Sequence, residues 1–185
     1  VRTELQFDEA YVPGALSITA RRAGFGSRLA WLAQPGQPLV LVGRDDEDAL
    51  EAAALAGAVG LREIAGYLDG GMTSWREEQL PVDRVARMTV QELHERRDEV
   101  QILDVRERAE WDAGHIPGSV HVPYHDLQAI PGALDAERPI AAICGSGQRS
   151  AVAASMLKRL GARDVIHVVD GGVGRWRREG WPIEA

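Results

Sequence analysis

The sequence predicts two α/β domains in tandem, each a mainly parallel sheet with helices on both faces, the first incomplete at its start. Three observations carry this. One residue pattern occurs twice along the chain, and a repeat of domain size marks a duplicated fold. Short apolar runs, Ile140-Ala141-Ala142-Ile143 and Val165 to Val169, suit strands buried on both faces. Helical segments with start and stop signals alternate with those runs, the pattern of a parallel sheet.

The repeat is read by laying the chain on itself. Phe7 to Leu16 runs parallel to Trp111 to Val120 at an offset of 104 positions, Tyr11 falling on His115. Further on, Tyr67-Leu68-Asp69-Gly70-Gly71 with Trp75 and Pro81 matches Val168-Val169-Asp170-Gly171-Gly172 with Trp176 and Pro182 at an offset of 101. The change in offset is a loop-length difference. A boundary near Pro81 to Ala86 divides the chain into domains 1–84 and 85–185.

In the first copy Leu39-Val40-Leu41-Val42 is the central strand and Ala49 to Ala58 the helix after it. The counterpart of the 100–103 strand would precede Val1, and a sheet lacking it would leave an unpaired edge, so that strand is expected upstream. In the second copy Thr89-Val90-Gln91-Glu92 has capping-box spacing and opens a helix to about Arg97. Val100 to Leu103 is a short strand, Glu107 to Ala113 a helix stopped by Gly114, and Val120 to Val122 a strand. Ile140 to Ile143 is a buried strand leading into Cys144. The run from Ser150 to Leu160 is a helix closed by Gly161, and Val165 to Val169 a strand turning through Asp170-Gly171-Gly172 into a last helix that carries Trp176.

Composition narrows the function classes. The chain of 185 residues is 45% hydrophobic and 26% charged, the balance of a globular protein, and no apolar stretch approaches the roughly 20 residues that span a bilayer. A formal net charge of -7 argues against a general nucleic-acid surface. The single cysteine cannot form an internal disulfide, so a reducing, cytoplasmic setting is expected.

That cysteine, Cys144, follows a buried strand and precedes a helix, and ligands of open parallel sheets sit beyond the carboxyl ends of the strands. The loop Gly145-Ser146-Gly147-Gln148-Arg149 is rich in glycine, so the backbone can curl with N–H groups inward, and the helix N-terminus adds partial positive charge. These donors and Arg149 are expected to favour the thiolate, the nucleophilic form. The same cradle suits sulfite, thiosulfate or a persulfide anion. A lone cysteine is ordinarily a small buried hydrophobe. The string Cys144-Gly145-Ser146-Gly147-Gln148-Arg149-Ser150 between strand and helix favours catalysis, and the Lys and spacing of a phosphate-binding P-loop are missing.

The chain here resembles the rhodanese family. Asp104-Val105-Arg106-Glu107, Gly114-His115-Ile116-Pro117-Gly118-Ser119, the loop 144–149, and Gly171-Gly172 with Trp176 look like the family's motifs in their usual order. The resemblance implies a five-stranded parallel-sheet domain that transfers sulfane sulfur. Cys144 would take sulfur from thiosulfate or a low-molecular-weight persulfide, hold it as a covalent persulfide, and pass it to cyanide or a thiol. Gly145, Ser146, Gly147, Gln148 and Arg149 would form the binding cradle. No metal and no separate cofactor is implied. Arg149 comes five positions after Cys144, whereas cysteine phosphatases resemble a pattern with the arginine one position later and a wider cradle, so sulfur is favoured over phosphate.

Other residues have plainer readings. Asp104 and Arg106 stand at a strand end, as pocket rim or as a structural ion pair involving Glu110, and the second is preferred. His115, with Tyr11 at its place in the other copy, reads as a turn or packing residue. His115, His121 and His125 lack further ligands at metal-binding spacing. Trp75 and Trp176 are expected core anchors. Arg175, Arg177 and Arg178 suit a solvated helix face.

In the first copy Gly43 stands at the cysteine position and Arg44-Asp45-Asp46-Glu47-Asp48 follows. Four carboxylates there would cap the helix themselves and repel an anionic donor, so the first domain is expected to be catalytically silent. A silent copy before an active one also resembles the C-terminal part of fusions with an upstream metallo-β-lactamase-fold persulfide dioxygenase. An upstream gene sequence without a His-rich metal motif would remove that reading. The competing functional class is a sulfur-sensing or carrier module, without turnover, of a larger sulfide-oxidising protein.

Overall fold

A computed structural model describes residues 1–33 and 36–185, which pack as two compact units, Val1–Pro13 with Ser17–Arg84 and Gly14–Leu16 with Val85–Ala185. In the first unit the elements are α1 (Glu4–Glu9), α2 (Phe25–Leu32), β1 (Leu39–Leu41), α3 (Asp46–Ala58), β2 (Ile64–Tyr67) and α4 (Gly71–Glu77). The strands β1 and β2 pair in parallel as a two-stranded sheet among the described residues. Its apolar centre gathers Ile18, Phe25, Leu29, Leu41 and the small face of α3, Ala49, Ala52 and Ala56.

α3 starts three residues before the predicted Ala49 because the acidic segment builds its N-terminus. Asp45 is the N-cap, accepting from the Asp48 amide at 3.0 Å, and Asp46, Glu47 and Asp48 fill the first turn, where the helix dipole favours negative charge.

The second unit adds β3 (Ala86–Thr89), α5 (Val90–Glu95), β4 (Gln101–Asp104), α6 (Arg108–Asp112), β5 (Val120–His121), β6 (Ile140–Ile143), α7 (Gln148–Arg159), β7 (Val165–Val169) and α8 (Gly172–Arg178). A single 3-10 turn, Tyr124–Asp126, lies between β5 and β6. All five strands are parallel, in the order β3-β7-β6-β4-β5. The chain moves outward from β4 to β5 and in the opposite direction from β6 to β7. The carboxyl ends of β4 and β6 therefore flank the place where the winding reverses, which is where a crevice opens in such sheets. The edge strand β3 is an element the sequence reading lacks: Ala-Arg-Met-Thr is short and half exposed, with no alternation to mark it. The Thr89 capping box is present, and α5 ends at Glu95.

The core of this unit contains Met88, Val90, Leu93, Ile102, Ile143, Val168 and Val173 around Trp176, which is wholly buried and donates its indole N–H to the Pro182 carbonyl at 2.8 Å. Trp75 makes the same bond to Pro81 at 2.8 Å but is only half-buried, so of the two expected anchors only Trp176 lies inside a core. Trp176→Ala is expected to cost about 3–5 kcal/mol, the range for emptying a buried aromatic site. Chemical denaturation of the variant checks this, and a cost under ~1 kcal/mol would contradict it. No helix among the described residues is long and apolar enough to cross a membrane.

Candidate active site

β6 delivers Cys144 beyond its carboxyl end, wholly buried and unpaired by any disulfide. Gly147 is the N-cap of α7 in the left-handed conformation (φ 95°), which glycine adopts without a Cβ penalty. That conformation turns the Gly147 N–H onto the Cys144 sulfur at 3.1 Å. Ser150, in the first turn of α7, brings its hydroxyl to 3.4 Å from the same sulfur and donates to the Gly147 carbonyl at 3.0 Å. The sulfur thus lies at the positive end of a 12-residue helix, against a backbone N–H and a hydroxyl.

The six expected site residues divide by this geometry. Cys144 and Gly147 are in contact, and Gly145 lies beside them, with room at its Cα bounded by the Arg149 guanidinium and the Glu110 carboxylate at 3.4 and 3.9 Å from an added Cβ. Ser146 is exposed. The helix starts at Gln148, two residues before the expected Ser150, so Gln148 and Arg149 belong to its first turn. The Arg149 guanidinium is clamped by Glu110, its Nη1 on Oε2 and its Nη2 on Oε1 at 2.9 Å, with Glu107 4.0 Å away. That hydrogen bond, with the Cys144 and Glu110 charges adding to it against burial, raises the Arg149 pKa above the ordinary arginine value. The same bond holds the Glu110 carboxyl below the usual glutamate range.

A depressed carboxylate stabilises the fold above its unfolded pKa and loses that contribution as pH falls through its lower folded value. Glu110→Gln is therefore expected to lower stability at neutral pH by about 0.5–1 kcal/mol, kept small by solvent screening of a partly exposed carboxylate. The difference from wild type should shrink on acidification below the ordinary glutamate range. Parallel urea unfolding series at several pH values read it, and a pH-independent difference would refute the assignment.

Asp104 and Arg106 form the preferred structural pair. Both are buried, and the guanidinium meets the carboxylate through Nε at 2.9 Å and Nη2 at 2.6 Å. Glu110 joins through its backbone carbonyl, which accepts Arg106 Nη1 at 3.1 Å, and its carboxylate is left for Arg149. The first unit repeats this splint, with Arg2 donating to the Gln6 and Ala10 carbonyls at 3.0 and 2.9 Å. His115 stacks on Trp111 and forms a backbone bridge with Glu184, as Tyr11 does with Asp83. His121 also stacks on Trp111, with Nε2 2.8 Å from the Arg106 carbonyl oxygen, and His125 pairs with Glu107 and Asp126. Arg177 donates to the Ala113 and Gly114 carbonyls and Arg175 pairs with Asp170, so the basic cluster is partly structural rather than a wholly solvated face.

Four residues contribute to the site without having been expected there from the sequence: Ser150, Gly172, Val173 and His167. Ser150 follows Arg149 in the sequence, where nothing local marks its hydroxyl as lying beside the sulfur. Gly172 and Val173 buttress the cysteine from behind: Val173 N–H donates to the Cys144 carbonyl at 3.0 Å, and a Cβ on Gly172 would fall 1.8 Å from that oxygen. His167, alone among the apolar residues of β7, places Nε2 2.8 Å from the Gly147 carbonyl oxygen. Its signal was a polar residue inside a buried run.

The corresponding loop of the first unit is filled by its own charges. Gly43 takes the cysteine's place, with Met72 N–H 3.4 Å from its carbonyl as Val173 is to Cys144. Arg44 is bound by Asp48 through Nε and Nη2 at 2.6 and 2.9 Å, and Asp46 accepts from the Gly70 amide at 2.7 Å. Arg44 holds the Asp48 carboxyl below the usual aspartate range.

Comparison with known proteins gives the following. The candidate sulfur carrier protein YrkF of Bacillus subtilis (strain 168) is 42% identical over 74 residues, which are 40% of this chain and 40% of that protein, so the match spans less than half of YrkF. The thiosulfate sulfurtransferase GlpE of Pseudomonas aeruginosa is 33% identical over 94 residues, 51% of this chain and 83% of GlpE. Among solved structures, a rhodanese-related protein from Thermoplasma volcanium aligns at 33% identity with a TM-score of 0.48, over 54% of this chain and 97% of that one. The rhodanese-like domain model itself matches residues 1–78 and 89–179. Both copies are thereby accounted for, and the chain belongs to the rhodanese-like domain family.

Proposed function

We propose that the second domain is a sulfurtransferase that carries sulfane sulfur on Cys144. The observation that carries this reading is the buried sulfur at the N-terminus of α7, with Gly147 N–H on it at 3.1 Å. Donors fixed around a sulfur stabilise both a thiolate and the anionic sulfur that replaces it. With thiosulfate, the Cys144 thiolate attacks the sulfane sulfur, the S–S bond to the sulfonate breaks, and sulfite leaves with the electron pair. With a low-molecular-weight persulfide the leaving group is the parent thiolate. Cyanide or a thiolate then attacks the outer sulfur of the Cys144 persulfide and returns the Cys144 thiolate. Each step exchanges one nucleophile for another, so no separate oxidant, reductant or metal enters the balance. The similarity to GlpE supports thiosulfate as donor.

The test is to incubate the protein with thiosulfate or glutathione persulfide, follow one added sulfur on Cys144 by mass spectrometry, and then add cyanide or a thiol. Loading followed by discharge is expected, and failure of every donor to load Cys144 would overturn the reading. The similarity to YrkF favours one second reading, a carrier without turnover, which a loaded state that no acceptor discharges would support.

A further inference from the structure

We propose that His167 is a positioning residue for sulfur transfer: through the Gly147 carbonyl it holds the Gly147 N–H on the Cys144 sulfur. This rests on the sulfurtransferase reading of Cys144. His167 sits in β7 at 1% exposure, opposite Ala142 in the parallel register with β6, the strand that ends in Cys144. Nucleophile and histidine therefore come from neighbouring strands whose relative height is set by the ladder.

A carbonyl oxygen only accepts, so at 2.8 Å the His167 Nε2 carries the hydrogen, which selects the tautomer. The same oxygen receives the Ser150 hydroxyl at 3.0 Å and the Ala151 amide at 2.9 Å. Those two donors belong to α7 and move with the loop. His167 is the donor from the sheet, so it ties the loop to the frame that carries Cys144. Fixing the plane of the peptide after Gly147 restricts the rotation that would swing the preceding N–H off the sulfur. A histidine satisfied by this bond for stability alone would predict effects on unfolding and none on the chemical step.

The experiment compares His167→Gln with His167→Met, unbranched side chains of similar length that differ in whether a terminal donor is present. The first-order constant for sulfur loading at saturating donor, and the donor concentration at half saturation, are read by quenched mass spectrometry beside the thermal midpoint. His167→Met is expected to load about 10- to 100-fold more slowly at saturation, the scale of a slightly misplaced catalytic group, with half saturation little changed. His167→Gln is expected within about threefold of wild type, because it restores a donor to the carbonyl. Should His167→Met not fold, His167→Leu, also without a donor, takes its place. Loading at the wild-type rate by the donorless variant, or His167→Gln as slow as it, overturns the proposal. A wild-type protein that no donor loads would overturn the sulfurtransferase reading, a result separable from either.

Discussion

Cys144→Ser is expected to abolish sulfur loading, by a factor on the order of 10⁶, the scale reached when a covalent nucleophile is removed, while leaving the fold in place. The chain has one cysteine, so no second thiol can substitute for it. A serine hydroxyl is almost wholly protonated at neutral pH and is a weak nucleophile without an adjacent base. The group that donates to the sulfur is the Gly147 N–H at 3.1 Å, which stabilises an anion rather than removing a proton, while the Ser150 hydroxyl, 3.4 Å from the sulfur, has its hydrogen on the Gly147 carbonyl. The fold should tolerate the change because the smaller oxygen still accepts from Gly147, so a stability change within about 1 kcal/mol is expected. Mass spectrometry after exposure to donor, with circular dichroism of the same sample, separates the two effects. Sulfur transfer persisting in the folded variant would remove Cys144 from the mechanism.

How much of this was legible in the sequence depends on the range of the interactions. The duplication, β6 and β7, and the cysteine between strand and helix were readable because apolar runs and glycine turns are local signals. β3 was not, since a half-exposed four-residue edge strand is specified by its partner β7 and hardly by its own residues. The start of α7 moved from Ser150 to Gln148 because Gly147 caps the helix by backbone conformation, with no side-chain cap to announce it. Glu110 and Arg149 are 39 positions apart and His167 and Gly147 are 20, so the clamp and the anchor follow from the order of strands and not from sequence neighbours. In the first copy the acidic run was legible both as a helix cap and as a crowded loop, because Asp45 to Asp48 act on the turn in which they occur.

Gly172→Ala is expected to be the most damaging change outside the cysteine, because two penalties coincide at one Cα. The residue has φ +51°, and a Cβ there would lie 1.8 Å from the Cys144 carbonyl oxygen, 2.7 Å from its carbon and 3.1 Å from the Gly145 carbonyl carbon. The conformation alone costs about 1–2 kcal/mol for an L-residue. The clash is with backbone, which no side-chain rotation relieves, so α8 and the cysteine loop must separate. Separation would break the Val173 N–H bond to the Cys144 carbonyl and tilt the segment that presents the sulfur to Gly147. A misplacement of this size is expected to slow loading by about 100-fold or more. Gly118→Ala supplies the control: φ is +77° there too, but an added Cβ meets nothing within 4 Å, so it carries the conformational cost without the clash. Its loading rate should stay near wild type while its unfolding free energy falls by about 1–2 kcal/mol. Equal loading by the two variants would mean that contact between the Gly172 turn and the Cys144 peptide has no part in holding the nucleophile.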